Sequence, residues 1–280
     1  MSTLTEDHVA RFQRDGFVLV EEVFDAEALR AHGAAVDRAV ANRSAGDDRP
    51  LADKSLYEQS FVQCMNLWED HPDVRALTFD PRLAEFAARL LKASGVRVWH
   101  DQALYKEAHG RETDPHQDLP FWPIVPAHQV TAWIPFDPVV REGGGMAYIP
   151  GSHAVGLKRF VDITHTLPME PVAILEDPAI ADVTPVWVEV PAGGVVFHHS
   201  LTVHLAAPNT TDRTRRVHCV IYFADGCLRR NALPHVSVDR QGIGVGEPIR
   251  GDVTPLAWPN ATGDLPPTPA SGPGPRTGYR

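Results

Sequence analysis

Residues 193–209 read Gly193-Gly194-Val195-Val196-Phe197-His198-His199-Ser200-Leu201-Thr202-Val203-His204-Leu205-Ala206-Ala207-Pro208-Asn209. Two glycines open the stretch, and a β-prone run follows from Gly194 to Phe197. A strand therefore delivers three histidines to a turn. Working outward, the same texture recurs. Val96 to Trp99, Ala103 to Tyr105, Val130 to Phe136, Met146 to Ile149, Val186 to Val190 and Val217 to Phe223 are short β-branched or aromatic runs. Glycine and proline punctuate them, which predicts an all-β sandwich or barrel core.

The first 95 or so residues differ. Thr3-Leu4-Thr5-Glu6 fits a capping box before a helix that stops at Gly16. Phe17 to Val20 is β-prone. Asp25 is a cap for a helix to about Val40, with Leu29, Val36 and Val40 at helical spacing. Asp80-Pro81 opens another helix, with Leu83, Phe86, Ala87, Leu90 and Leu91 on one side. Gln63, Met65 and Asn66 are read as part of this helical region. Residues 1–259 are expected to form one mainly β domain with flanking helices. Two insertions, Glu107 to Pro126 and Ser152 to Pro185, are long enough to be functional lids. The tail 260–280 is rich in Pro, Gly, Ser and Thr and is expected to be flexible, with no core contacts.

The bulk numbers exclude some classes. The 280 residues carry a net charge of -10, against the basic face of a nucleic-acid binder. No apolar run approaches a membrane span, and the N-terminus lacks a signal-peptide pattern. Three cysteines, Cys64, Cys219 and Cys227, lack metal-ligand spacing and read as reduced thiols of a cytoplasmic protein. Fourteen histidines are many, and nine lie between His100 and His204 inclusive.

Residues 115–123 read PHQDLPFWP. Its prolines keep it out of a helix interior and a central strand ladder. His116 and Asp118 would share one side of an extended chain. A His-x-acid triplet alone is no signal, since His71-Pro72-Asp73 is another, read as a turn or cap. A third stretch, Asp212-Arg213-Thr214-Arg215-Arg216, opens the last strand. Together the three stretches supply two imidazoles, one carboxylate and a guanidinium. Two histidines and one carboxylate with open positions are the pattern of non-haem Fe(II) oxygenases, and a guanidinium is the natural clamp for a carboxylate.

The region from about Gln102 to Phe223 resembles the phytanoyl-CoA dioxygenase family of Fe(II)/2-oxoglutarate oxygenases. HQDLPFWP (116–123), the tryptophan of TAWIPFD (131–137), IPGSH (149–153) and the spacing His204, Asn209, Arg215 carry the resemblance, and FQRDGFVLVEEVF (12–24) extends it. The resemblance implies a double-stranded β-helix, a cupin-like jelly-roll. It implies iron held by His116, Asp118 and His204, with 2-oxoglutarate as cosubstrate and O2 as oxidant. Arg215 would bind the distal carboxylate of 2-oxoglutarate, with Arg216 on the other strand face. Trp133, Lys106 and Gln102 would lie near the cosubstrate. His198 and His199 would be packing or supporting residues. The family hydroxyl two residues after the distal histidine is Ala206 here, and Thr131 would supply a replacement. Gly143-Gly144 stands where the family has Asn-Gly. The implied activity is hydroxylation of a small organic substrate, releasing succinate and CO2. Other readings are a jelly-roll metalloenzyme of another reaction type or a non-catalytic cupin-like binding domain. Oligomeric state has no signature in the sequence.

Overall fold

In the computed structural model, which describes residues 3–168, 172–272 and 274, the chain begins with α1 (Glu6–Asp15) and β1 (Phe17–Val20). Thr5, not Thr3, is the N-cap: its hydroxyl accepts from His8 N, and His8 Nδ1 accepts from Thr5 N. The helix itself starts at Glu6, with Leu4 buried ahead of it. Gly16 ends α1 at φ 83°, and a Cβ there would clash with Thr202 Oγ1.

Asp25 caps α2 (Ala26–Arg43), and α3 (Leu56–Ser60) follows. The next segment corrects the sequence reading. Gln63 and Met65 lie in a strand, β2 (Val62–Met65), which pairs antiparallel with β3 (Val96–Lys106). Four residues carry little periodic signal, so tertiary pairing decides their state. Then come α4 (Leu67–Asp70), α5 (Pro72–Thr78) and α6 (Pro81–Leu91). His71 is the residue before α5, as a cap position.

The two expected strands after Val96 are one, β3 (Val96–Lys106). The first insertion is more than a lid, since it contributes β4 (Thr113–His116) and β5 (Ile124–Val125). The remaining strands are β6 (Gln129–Pro135), β7 (Met146–Tyr148), β8 (Val186–Val188), β9 (Val195–His199), β10 (His204–Ala206), β11 (Arg215–Ala224), β12 (Leu228–Arg229) and β13 (Leu256–Trp258), with a short α7 (Val236–Asp239).

The large sheet runs β1-β9-β6-β11-β3-β13, with β2 also on β3; the small sheet runs β4-β10-β7-β8; and β12 and β5 form a separate two-stranded pair. Every pairing is antiparallel. The architecture is mainly β with flanking helices, a cupin-like jelly-roll. The outer face of the large sheet packs on the helices, with Phe12, Trp68, Phe86, Phe197 and Tyr222 in one cluster. Its inner face packs toward the small sheet through Trp133, Tyr148, Val196 and Cys219. Alternation along β9 assigns Val195 and Phe197 to the first cluster and Val196 to the second.

The tail, expected to lack core contacts, reaches back in its described part. Thr268 Oγ1 donates to Glu69 O (2.8 Å), and Gly274 N donates to the buried carboxylate of Glu69 (2.5 Å). Among the described residues, no helix is long and apolar enough to cross a membrane.

Candidate metal centre and cavity

β4 lies at the edge of the small sheet, where Pro115 breaks no central ladder. Its pairing with β10 sets His116 directly opposite His204, with ring centroids 4.3 Å apart. Beyond His116 the chain does not stay extended. Asp118 is helical in backbone (φ -75°, ψ -40°), and the N–H groups of Asp118 and Leu119 both donate to Ser200 O at 3.1 and 3.0 Å. The pair His116/Asp118 therefore converges through a turn rather than the extended-strand geometry expected.

Each imidazole is fixed from behind. His116 Nδ1–H donates to Asp114 O (2.7 Å) and His204 Nδ1–H to Thr202 O (3.0 Å). That leaves both Nε2 lone pairs free on the same side. Asp118 Oδ1 lies 3.8 Å from His116 Nε2 and 3.7 Å from His204 Nε2. One atom from each of the three lies within 4.8 Å of the others. Two neutral imidazoles and one carboxylate fit a divalent iron held on one face. Burial, then His116, pushes His204 down to about 3, and burial also lowers His116. Burial pushes Asp118 up, but His204 and the bond from His198 outweigh it and hold the carboxyl ionised. The protonation states are those a metal requires.

Asp118 Oδ2 is held by two groups: His198 Nε2 at 3.2 Å and Thr131 Oγ1, which donates at 3.3 Å. Thr131, expected to replace the hydroxyl missing at Ala206, lines the same cavity and donates to this carboxylate. His198, one strand period from Val196 on the inner face, could have been singled out by that alternation. Its neighbour His199 faces the helices and contacts the Ala127 carbonyl.

Arg215 opens β11 and is buried. Its Nη1 donates to Gly144 O (2.6 Å), while Nε has no partner among the described residues. Among the described residues no carboxylate pairs with it. Its guanidinium carbon lies 5.5 Å from the centroid of the Trp133 ring. Burial lowers Arg215 to about 10, and a buried cation so placed calls for an anionic ligand. Arg216 turns to the other face and pairs with Asp37 and Asp137, both at 2.7 Å.

The triad, Arg215, Trp133, Thr131 and Gln102 line one cavity. Gln102 Oε1 accepts from Gln63 Nε2 (2.6 Å), whose Oε1 accepts from Tyr57 (2.8 Å). Lys106 does not line it. Its Nζ donates to the Arg111 carbonyl, and burial, then Arg215, lowers it to about 6. Gly144, at φ 81°, keeps room for that lysine: a Cβ would meet Lys106 Cδ at 2.6 Å. Phe121 and Trp122 both face the cavity, and Phe121 also packs on Phe160 of the second insertion, centroids 4.9 Å apart. His153 lies apart, with Nε2 3.2 Å from Gln13 O.

A sequence model of the family described as Phytanoyl-CoA dioxygenase (PhyH) matches residues 12–217. Phytanoyl-CoA dioxygenase domain-containing protein 1 of Mus musculus is 26% identical over 266 residues, covering 79% of this chain and 90% of that protein. Among solved structures, the non-haem alpha-ketoglutarate-dependent carbocyclase SnoK from nogalamycin biosynthesis superposes with TM-score 0.75 at 27% identity, covering 90% of this chain and 96% of its own. The epimerase SnoN, in complex with Fe3+, alpha-ketoglutarate and nogalamycin RO, gives TM-score 0.71 at 27% identity, covering 90% and 98%.

Proposed function

The chain belongs to the phytanoyl-CoA dioxygenase family, and on that premise we propose that it is an Fe(II)- and 2-oxoglutarate-dependent dioxygenase acting on a small organic molecule. The observation that carries this reading is the buried Arg215, with a free Nε and no acid partner among the described residues, in the same cavity as the His116, Asp118, His204 group. A dicarboxylate spanning the two would satisfy both. The three side chains would hold iron, and Arg215 would take the distal carboxylate in its planar fork. Trp133 would pack beside that end. When bound, iron and 2-oxoglutarate supply the oxidation of a C–H bond by O2, with release of succinate and CO2.

The chain's own part is positional. The carbonyls of Asp114 and Thr202 fix which nitrogen each histidine presents. His198 and Thr131 hold the carboxylate so that one oxygen faces the imidazoles. The second insertion reaches the cavity, with Ile163 and Thr164 in its wall and Phe160 packed on Phe121. Asp118 keeps the carboxylate position filled, so the expected outcome is hydroxylation rather than halogenation. Ring closure or epimerisation is the second reading, favoured by the similarity to SnoK and SnoN.

The test is a substrate screen read by succinate formation, followed by turnover under 18O2. Hydroxylation puts labelled oxygen in the product. Ring closure or epimerisation gives succinate with no label in the product. Succinate formation unchanged in His204→Ala would overturn the reading.

A further inference from the structure

β3 carries a bulge where it meets β11. Ile221 pairs with His100 and Tyr222 with Val98, so Trp99 is the extra residue. A bulge re-aims the side chains around it. Here Trp99 joins the inner cluster, next to His100 in the cavity wall. His100 is 1% exposed, and among the described residues neither of its ring nitrogens has a hydrogen bond of ordinary geometry, the adjoining Asp101 backbone being the one group that acts on the ring as a weak hydrogen-bond partner. A buried imidazole left without partners is costly. It is held in place by rings: His235 stacks on it at 5.7 Å and Trp122 meets it edge-on at 6.1 Å. Burial keeps it neutral, down to about 4, so it offers one donor and one acceptor.

The rest of the wall has a consistent character. Apart from Asp118 and Arg215, no Asp, Glu, Lys or Arg among the described residues lines the cavity. Those two are taken by the metal and cosubstrate roles. Tyr57, Phe61, Phe121 and Trp122 supply aromatic surface, and Gln102 has its oxygen held by Gln63 while its amide N–H groups meet no acceptor among the described residues.

We propose that His100 is a specificity residue that binds an oxygen substituent, a hydroxyl or carbonyl, on an uncharged ring-bearing substrate. The inference rests on the oxygenase reading for the identity of the cavity.

The probes are 1-naphthol, 1-methylnaphthalene of nearly the same shape, and 1-naphthoate. Each is titrated anaerobically into the Fe(II)- and 2-oxoglutarate-loaded protein, with quenching of tryptophan fluorescence as readout. Wild type should bind naphthol at least about tenfold more tightly than methylnaphthalene, because a site built for a hydroxyl rejects the analogue lacking it. Naphthoate should bind more weakly than naphthol. His100→Phe keeps the ring stack and should bring naphthol and methylnaphthalene to parity. His100→Gln should restore most of the preference. Absent or equal binding of naphthol, tighter binding of naphthoate, or a preference unchanged in His100→Phe would overturn the inference. The visible band of the iron–2-oxoglutarate pair, recorded on the same sample, separates the two claims. Without it the oxygenase reading fails; with it and no naphthol preference, only the role of His100 fails.

Discussion

His198 Nε2 lies 3.2 Å from Asp118 Oδ2, while Asp118 Oδ1 is the oxygen nearer His116 and His204. The carboxylate is thus divided between a supporting side and a ligand side. Groups that orient a metal ligand from behind typically change affinity about 10–100-fold when removed. His198→Phe should therefore weaken anaerobic Fe(II) binding by about that factor, measured by competition with a chelator. His198→Gln keeps a donor and should lose much less. Equal affinity in all three proteins would show that Asp118 needs no such support.

Gln117, between the two ligand positions, ties down the second insertion. Its Nε2 donates to Leu201 O (2.7 Å) and Gly156 O (3.0 Å), and its Oε1 accepts from Lys158 N (2.8 Å). Gln117→Leu removes all three bonds at a buried position, at a cost of about 1–3 kcal/mol or more. Urea denaturation should show that loss, and trypsin should cut faster after Lys158 and Arg159. Unchanged cleavage would mean the insertion is anchored elsewhere.

Acid should destabilise the fold before it reaches the carboxylates. Burial lowers both His100 and His199 to about 4. In the unfolded chain they titrate near 6.5. Below that pH the unfolded state binds protons the folded state refuses, so stability falls from about pH 6.5 down to about pH 4. Between pH 7 and pH 5 each group should remove about 2 kcal/mol. The urea midpoint at the two pH values measures this, and His199→Gln should flatten the dependence by about one group's share. A midpoint that rises on acidification would reverse the sign of the argument.

Much of this was legible in the sequence, for identifiable reasons. Asp25 and Asp80-Pro81 are local capping signals, and both open helices as read. The runs around Val130 and Val217 are long and strongly β-prone, and both are strands. What failed was short or non-local. β2 and β10 have only four and three residues, too few for a period, and exist through their partners. Within the cavity, ordered motifs led to His116, Asp118, His204 and Arg215. Hydrogen-bond direction could not be read from sequence. Thr131 lines the expected cavity but serves Asp118, and Lys106 turns its amine to the Arg111 carbonyl. His100 belongs to no motif. Its place depends on a bulge, which is a property of two strands together.

The central claim is that Arg215 and the three ligand side chains form one site for iron and a dicarboxylate. The most direct measurement needs no substrate: anaerobic addition of Fe(II), then 2-oxoglutarate, to the metal-free protein while recording the visible spectrum. A weak charge-transfer band should appear only with both present. It should be absent in His204→Ala and Arg215→Ala. Arg215→Lys, which loses the planar fork, should need at least about tenfold more 2-oxoglutarate. Iron bound tightly with no band would contradict the account and point to a jelly-roll metalloenzyme of another kind. No iron binding at all would point to a binding domain.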